Sequence, residues 1–131
     1  MNITKKWIGV DLDSTLAKAT PSTIETVIGP SVPLMVARVK QWLREGKDVR
    51  IFTARITHCT DKEAVIHAIQ SWCILHLGRQ LRVTCKKDGD MDEIWDDRAR
   101  QVEPDTGKLV YNPEWVEEFN LEAARNKEPI L

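Results

Sequence analysis

The sequence predicts an α/β fold with a mainly parallel sheet, because short apolar runs alternate with helical repeats along the chain. The first run, Lys6–Asp11, reads KWIGVD and suits a strand that is buried on both faces. A helical repeat follows, with apolar residues at Val36, Val39 and Leu43. Polar residues stand at or just after the apolar runs, and in parallel sheets ligands bind outside the carboxyl ends of the strands.

Four strands and a small edge strand are expected from the apolar runs. The second run reads DVRIFT, the third is short, and the fourth leads directly into a pair of aspartates. The predicted strands are Lys6–Asp11, Asp48–Thr53, Leu81–Thr84, Ile94–Trp95 and, at the edge of the sheet, Leu109–Tyr111.

Three helices are expected, and residues 16–32, rich in Thr, Ser and Pro, are interpreted as a loop. The first helix begins near Ser31–Pro33, since proline is tolerated in a first turn, and Gly46 is placed to end it. The second follows a capping-box sequence at Thr60–Glu63 and ends at Gly78. The apolar stripe of this second helix is Val65, Ile69, Trp72 and Cys73. The last helix is expected to open at Asn112–Pro113. Its inward-facing residues are Trp115, Val116, Phe119 and Ala123.

The length of 131 residues corresponds to one domain, and residues 1–131 are predicted to form a single core domain. The 19 basic and 20 acidic residues give a net charge of −1, which argues against a global nucleic-acid-binding or membrane-binding surface. An anionic substrate must therefore be held by a local site. A nucleic-acid partner would have to bind through such a site, because charge does not indicate one.

Targeting signals are not evident in the sequence. Met1–Gly9 lacks a long apolar core, and no apolar run approaches the roughly 20 residues that a membrane span needs. Cys59, Cys73 and Cys85 are odd in number and irregularly spaced, which favours reduced thiols over a disulfide framework. These features predict a cytoplasmic protein with no membrane partner.

Asp11 and Asp13 form the first part of a candidate site, directly after the first apolar run. Two carboxylates this close repel each other at the end of a buried strand, so a compensating charge is expected. A divalent cation is the natural candidate, and Mg²⁺ prefers hard oxygen ligands from few carboxylates, completed by water and phosphate. Asp96 and Asp97 supply the further acidic ligands that such a site needs.

The same residue types can carry phosphoryl transfer. A carboxylate can attack phosphorus to form an aspartyl-phosphate, and a second carboxylate can protonate the leaving oxygen and later activate water. A lysine and a hydroxyl group can stabilise charge on the transferred phosphoryl oxygens. Thr53 and one of Lys86 and Lys87 have the required types and stand at or just after the ends of predicted strands.

Taken together, these segments resemble the haloacid dehalogenase (HAD)-like superfamily, of the small cap-less phosphatase type. The resemblance rests on four motifs in order, each at the end of an apolar run, which together span residues 7–98. They are Asp11-x-Asp13-x-Thr15-Leu16, then Thr53, then a lysine, then Asp96-Asp97. It implies a Rossmann-like three-layer sandwich and a Mg²⁺-dependent phosphomonoester hydrolase.

The resemblance also implies a role for each matching residue. Asp11 would be the nucleophile and a Mg²⁺ ligand, and Asp13 the general acid/base, with its backbone carbonyl on the metal. Thr53 would bind the phosphoryl oxygens. A lysine would pair with both the nucleophile and the phosphate, and this is Lys87, with Lys86 as the alternative. Of the acidic pair, Asp97 is the expected metal ligand and Asp96 is expected to lie beside it.

Other residues near these motifs are candidates for substrate binding, and two positions depart from the superfamily's pattern. Ser14 stands where glycine is commonest, and Gly89 weakens the helix that usually follows the lysine. Arg55 and Arg98 would either contact substrate or bind carboxylates structurally. The substrate-binding candidates are Thr15, Ala54, Arg55, Lys86 and Arg98.

The spacing of the motifs leaves no room for a cap domain. The 37 residues between Thr15 and Thr53, and the 32 between Thr53 and Lys86, are filled by a helix and a strand each. An open site resembles relatives that act on large substrates or that oligomerise to close the site. The Asp-Asp-Arg sequence also resembles polynucleotide phosphatase and deoxyribonucleotidase domains, so nucleotides and polynucleotide ends are candidate substrates. The alternative is a non-catalytic module that binds phosphate and Mg²⁺.

Overall fold

A computed structural model describes residues 6–110 of the chain. The chain divides into two compact units, residues 1–97 and residues 98–131. The prediction of a single domain stays a prediction. The elements of the first unit are β1 (Trp7–Val10), α1 (Pro33–Arg44), β2 (Asp48–Phe52), a 3₁₀ turn (Ala54–Ile56), α2 (Lys62–Leu77), β3 (Val83–Thr84) and β4 (Met91–Trp95).

The four strands form one sheet in the order β3-β2-β1-β4, and every pair of neighbours is parallel. Val10, at the end of β1, lies opposite Ile51 of β2 and Trp95 of β4. The α/β class with a parallel sheet is therefore confirmed. Because all strands run the same way, the polar residues that follow them emerge at one edge of the sheet.

The two helices pack against each other and share one hydrophobic core with one face of the sheet. Ile8 and Val10 face this core from β1, since alternate residues of a strand point to the same face. Val39 is fully buried and Val36 and Leu43 pack beside it, as the helical repeat predicts. The predicted stripe of α2 is buried throughout, at Val65, Ile69, Trp72 and Cys73.

The ends of the helices follow the expected signals with one correction. Pro33 opens α1, and Gly78 ends α2 with a φ of 84°, a left-handed conformation that suits glycine. The predicted capping box, however, is displaced by one residue. Asp61, not Thr60, caps α2, because its carboxylate accepts from the Ala64 N–H at 3.1 Å.

The second face of the sheet, opposite the helices, is contacted by the segment that joins β3 to β4. β3 and β4 lie at opposite edges of the sheet, and residues 85–90 join them without a helix. The helix that Gly89 was expected to weaken is therefore absent from residues 85–90. The indole of Trp7, which is buried but outside the helical core, donates to Asp88 Oδ1 at 2.8 Å, and its ring meets Phe52 edge-on.

Two predicted elements near the end of the chain have different outcomes. The edge strand predicted at Leu109–Tyr111 is reduced to an isolated antiparallel bridge between Val102 and Leu109, and Tyr111 lies outside the described residues. The helix predicted to open at Asn112–Pro113 also lies outside them. Within residues 6–110, both α-helices belong to the layer on the first face.

We expect Gly29→Ala to lower the free energy of unfolding, measured by urea denaturation, by about 2–4 kcal/mol. The reason is that the Gly29 backbone lies against the backbone of Lys18. A Cβ at Gly29 would collide with the backbone carbonyl oxygen of Lys18, which cannot rotate away. The Gly29 carbonyl also accepts a hydrogen bond from the buried Trp72 indole at 3.0 Å. Gly89→Ala is the control, since no heavy atom outside its neighbours lies within 4 Å of a Cβ there. Equal unfolding midpoints for the two variants would contradict this account.

Candidate functional site

Three carboxylates meet where the neighbouring strands β1 and β4 end. Asp11 follows β1 and donates its backbone N–H to the Trp95 carbonyl at 2.8 Å, which ties the two strand ends together. Asp96 and Asp97 follow Trp95 directly. One carboxylate oxygen from each of the three aspartates lies within 4.8 Å of the others. The structure therefore brings together the first and last parts of the predicted site.

Thr15 links Asp11 to Asp97. Its hydroxyl oxygen lies 3.2 Å from Asp11 Oδ2 and 3.1 Å from Asp97 Oδ1, and it accepts from the Asp97 N–H at 3.0 Å. A hydroxyl has a single proton, so it can donate to only one of the two carboxylates at a time. In the structure Thr15 orders the acidic cluster, and its contact with substrate stays a prediction.

The turn after β1 explains which residue suits position 14. Ser14 has a φ of 70°, in the left-handed region that glycine enters most easily. Its N–H donates to the Ala17 carbonyl at 2.8 Å, and Ala17 in turn donates to the Leu12 carbonyl at 2.9 Å. This tight turn brings the Thr15 hydroxyl within 3.2 Å of the Asp11 carboxylate, and its backbone conformation at position 14 would also suit glycine.

Within this cluster the pKa of Asp11 is raised from its ordinary 3.8 to about 7. Partial burial is the largest cause, followed by the charge of Asp96 and a hydrogen bond with Asp97, and the Thr15 hydroxyl opposes them. Near neutral pH the site therefore needs a proton or a cation to offset its negative charge. Closely spaced carboxylate oxygens of this kind fit a hard divalent cation such as Mg²⁺.

Asp13 lies outside this cluster and is bound by an arginine. The Arg55 guanidinium donates to both carboxylate oxygens of Asp13, from Nη2 at 2.6 Å and from Nε at 3.1 Å. The Asp13 side chain remains 39% exposed, so one side of it is open to solvent. Of the two predicted alternatives for Arg55, the structure shows the contact with a carboxylate.

Thr53 directly follows β2, one residue beyond the observed end of the strand, and is buried. Its N–H donates to the Thr84 carbonyl at 2.9 Å, and its hydroxyl oxygen accepts from the Arg55 N–H at 3.1 Å. That second bond caps the 3₁₀ turn, which contains Ala54 and Arg55. The side chain is thus held at the same sheet edge as Asp11, one strand away.

The two candidate lysines are exposed in the turn after β3. The Lys86 N–H donates to the Thr84 hydroxyl at 3.1 Å, which shapes the turn. Within residues 6–110, neither ammonium group is joined to Asp11 or Asp13 by a hydrogen bond or ion pair. The choice between Lys87 and Lys86 stays open. Arg98 belongs to the second unit of the chain, and its substrate contact stays a prediction.

The pairing of Arg55 with Asp13 was not singled out from the sequence. The two residues are 42 positions apart, and their types alone do not indicate which carboxylate the arginine meets. Glu25 was missed as well, although its carboxylate accepts from the Thr60 N–H at 2.9 Å. It stands in a stretch that carries no periodic signal.

Comparisons with known proteins add a likeness of fold. No protein-family model matches the sequence, and no curated protein sequence matches it. A solved structure of a conserved protein from Bacteroides thetaiotaomicron superposes with a TM-score of 0.52 at 19% identity, covering 96% of this chain and 94% of that one. The likeness concerns the fold alone. The shared architecture is α/β and is consistent with a Rossmann-like sandwich.

No helix within residues 6–110 is both long enough and apolar enough to span a lipid bilayer.

Proposed function

We propose that this protein is a Mg²⁺-dependent phosphomonoester hydrolase that acts through an aspartyl-phosphate on Asp11. The observation that carries the proposal is the acidic cluster at the ends of β1 and β4, in which the pKa of Asp11 is raised to about 7. A protein gains no stability from such repulsion, so a function for the charge is expected. The sequence resemblance to HAD-type phosphatases supplies the reaction class.

Asp11 and Asp97 would hold the cation, with Asp96 beside them and the Asp13 backbone carbonyl as a further ligand. Their oxygens are of the type that Mg²⁺ prefers. When bound, Mg²⁺ would neutralise the cluster and stabilise negative charge on the phosphoryl oxygens. Thr15 would keep the Asp11 and Asp97 carboxylates in place, because its hydroxyl lies between them.

The chain's own residues account for both halves of the reaction. A carboxylate oxygen of Asp11 attacks phosphorus, the bond from phosphorus to the ester oxygen breaks, and Asp13 gives that oxygen its proton. Water then attacks the aspartyl-phosphate and passes a proton to Asp13, so that phosphate leaves and both aspartates return to their starting states. Asp13 suits this role because its carboxylate lies two residues from Asp11 and is partly exposed.

Thr53 and one lysine would stabilise the transferred phosphoryl group. Thr53 is already positioned at the sheet edge by its bonds to Thr84 and Arg55. Lys87, or Lys86, would bring a positive charge to the phosphoryl oxygens from the turn after β3. Both lysine side chains are exposed, so their ammonium groups are accessible to an incoming phosphoester.

The substrate class we favour is a nucleotide, a polynucleotide end or another large phosphoester. The segments between Thr15 and Thr53 and between Thr53 and Lys86 contain only α1, β2, the 3₁₀ turn, α2 and β3, with their connecting loops. A site without a cap leaves space for a substrate much larger than the phosphate itself. A cytoplasmic location is also proposed, because Cys59, Cys73 and Cys85 are all free thiols.

Phosphate release from a panel of monoesters tests the function. The panel contains nucleotides, polynucleotide ends, sugar phosphates and phosphopeptides, each assayed with Mg²⁺ and with a chelator. We expect turnover of at least one class with Mg²⁺ and its loss in the chelator. Mg²⁺ binding without turnover of any class of monoester would contradict the proposed hydrolase activity. It would favour the alternative, a non-catalytic module that binds phosphate and Mg²⁺.

A further inference from the structure

Arg55 joins two parts of the chain through its side chain. Its guanidinium donates to both oxygens of Asp13, and its Nη1 donates to the carbonyls of Glu25 at 2.8 Å and Val27 at 2.7 Å. The side chain is only 15% exposed. These four bonds use almost all of the N–H donors that a guanidinium carries, which leaves little capacity to bind a phosphate as well.

The geometry of the Arg55–Asp13 contact restrains how the carboxylate can turn. Two parallel N–H···O bonds from one planar group hold both oxygens of Asp13 at once, whereas a single bond would leave the carboxylate free to rotate. The plane and direction of the Asp13 carboxylate are therefore set by the position of the guanidinium.

The guanidinium is positioned in turn by the segment 18–30. The two ends of this segment meet where the Lys18 N–H donates to the Pro30 carbonyl at 2.7 Å. Its middle is attached to the residue before the α2 cap, because the Glu25 carboxylate accepts from the N–H and the hydroxyl of Thr60. The two carbonyls that accept hydrogen bonds from Arg55 thus belong to a segment that is held at both its ends and its centre.

We propose that Arg55 is a positioning residue that aims the Asp13 carboxylate at the leaving oxygen, with the segment 18–30 holding the guanidinium in place. This inference rests on the proposed function, since it concerns the step in which Asp13 gives its proton to the departing ester oxygen. Correct placement of a catalytic group strongly affects rate, and a misplacement of about 1 Å can cost about 10²-fold.

The dependence of rate on the leaving group separates positioning from phosphate binding. An alkyl phosphate needs its leaving oxygen to be protonated, whereas para-nitrophenyl phosphate releases a stable anion and needs the proton much less. For Arg55→Ala we expect kcat/KM to fall by about 10²-fold with the alkyl ester and by less than about tenfold with the nitrophenyl ester. kcat/KM is the constant to compare, because it reports the steps up to the loss of the leaving group.

Three further variants control the experiment. Arg55→Lys keeps the charge but not the two-pronged contact, so it should restore only part of the alkyl-ester activity, and it serves if Arg55→Ala does not fold. Arg79→Ala removes an exposed arginine at the end of α2 and should leave both rates unchanged. Adding Arg55→Ala to Asp13→Asn should cost little more than Asp13→Asn alone with the alkyl ester, because the two residues act together.

Each outcome bears on a different statement. An equal loss for both esters in Arg55→Ala would overturn the inference and assign Arg55 to the phosphoryl group, while the proposed function would stand. Unchanged rates for both esters would overturn the inference too. If the unaltered chain turned over neither ester nor any member of the wider panel, the proposed function would fail and this inference with it.

Discussion

Asp11→Asn is expected to lower phosphate release by at least about 10³-fold while making the metal-free protein more stable at pH 8. The loss of activity follows because an amide is a far weaker nucleophile than a carboxylate and cannot form the aspartyl-phosphate. The gain in stability follows because the substitution removes a charge that is disfavoured by partial burial and repelled by Asp96 and Asp97. An effect of opposite sign on activity and stability is characteristic of a functional charge cluster.

The control for this experiment is Asp92→Asn, which removes an exposed aspartate from β4 outside the cluster. Both its activity and its denaturation midpoint should remain close to those of the unaltered protein. Activity is measured with the best substrate of the panel and stability by urea denaturation in a chelator. Retained turnover in Asp11→Asn would contradict the proposed aspartyl-phosphate mechanism. A large loss of stability in this variant would contradict the statement that the Asp11 charge is unfavourable in the folded protein.

The stability of the metal-free protein should depend on pH through Asp11. Its pKa is about 7 in the folded protein against an ordinary value of 3.8, so between these two values the unfolded chain has lost a proton that the folded chain keeps. Stability must then fall as pH rises through this range, and the contribution is constant below about 4 and above about 7.

Asp11→Asn isolates this contribution from those of other groups. The difference in unfolding free energy between the variant and the unaltered protein should be smallest near pH 4 and should grow until about pH 7. Other groups act in the opposite direction, since the pKa of Asp88 is lowered by its hydrogen bond from the Trp7 indole. The difference cancels such terms, because Asp88 is present in both proteins.

Mg²⁺ should reverse the effect of pH on the unaltered protein. A cation binds the ionised cluster, so Mg²⁺ should raise the melting temperature more at pH 8 than at pH 5, and much less in Asp11→Asn. Thermal unfolding at both pH values, with Mg²⁺ and with a chelator, measures this. A Mg²⁺ effect of the same size at both pH values, or one unchanged in Asp11→Asn, would show that the cation binds elsewhere.

Much of the fold was accessible from local patterns. The run KWIGVD, the stripe Val65–Cys73 and the glycine at 78 are signals that arise within one element, and the structure contains β1, α2 and its C-terminal cap where they indicate. Element boundaries were less accurate. β4 begins at Met91, three residues earlier than predicted, because Asp92 and Glu93 interrupt the apolar pattern while Met91 pairs with Trp7 of β1.

For the candidate site, the sequence by itself determined which carboxylates follow the strands, since Asp11 and Asp96–Asp97 each stand at the end of an apolar run. Parallel strands place such ends at one edge of a sheet, so their meeting could be expected in advance. Only the tertiary structure decided what each side chain touches. Arg55 meets Asp13, and the segment 18–30 holds Arg55, through bonds that join residues 28 to 42 positions apart. Contacts of that kind depend on how loops pack, and no periodicity in the chain encodes them.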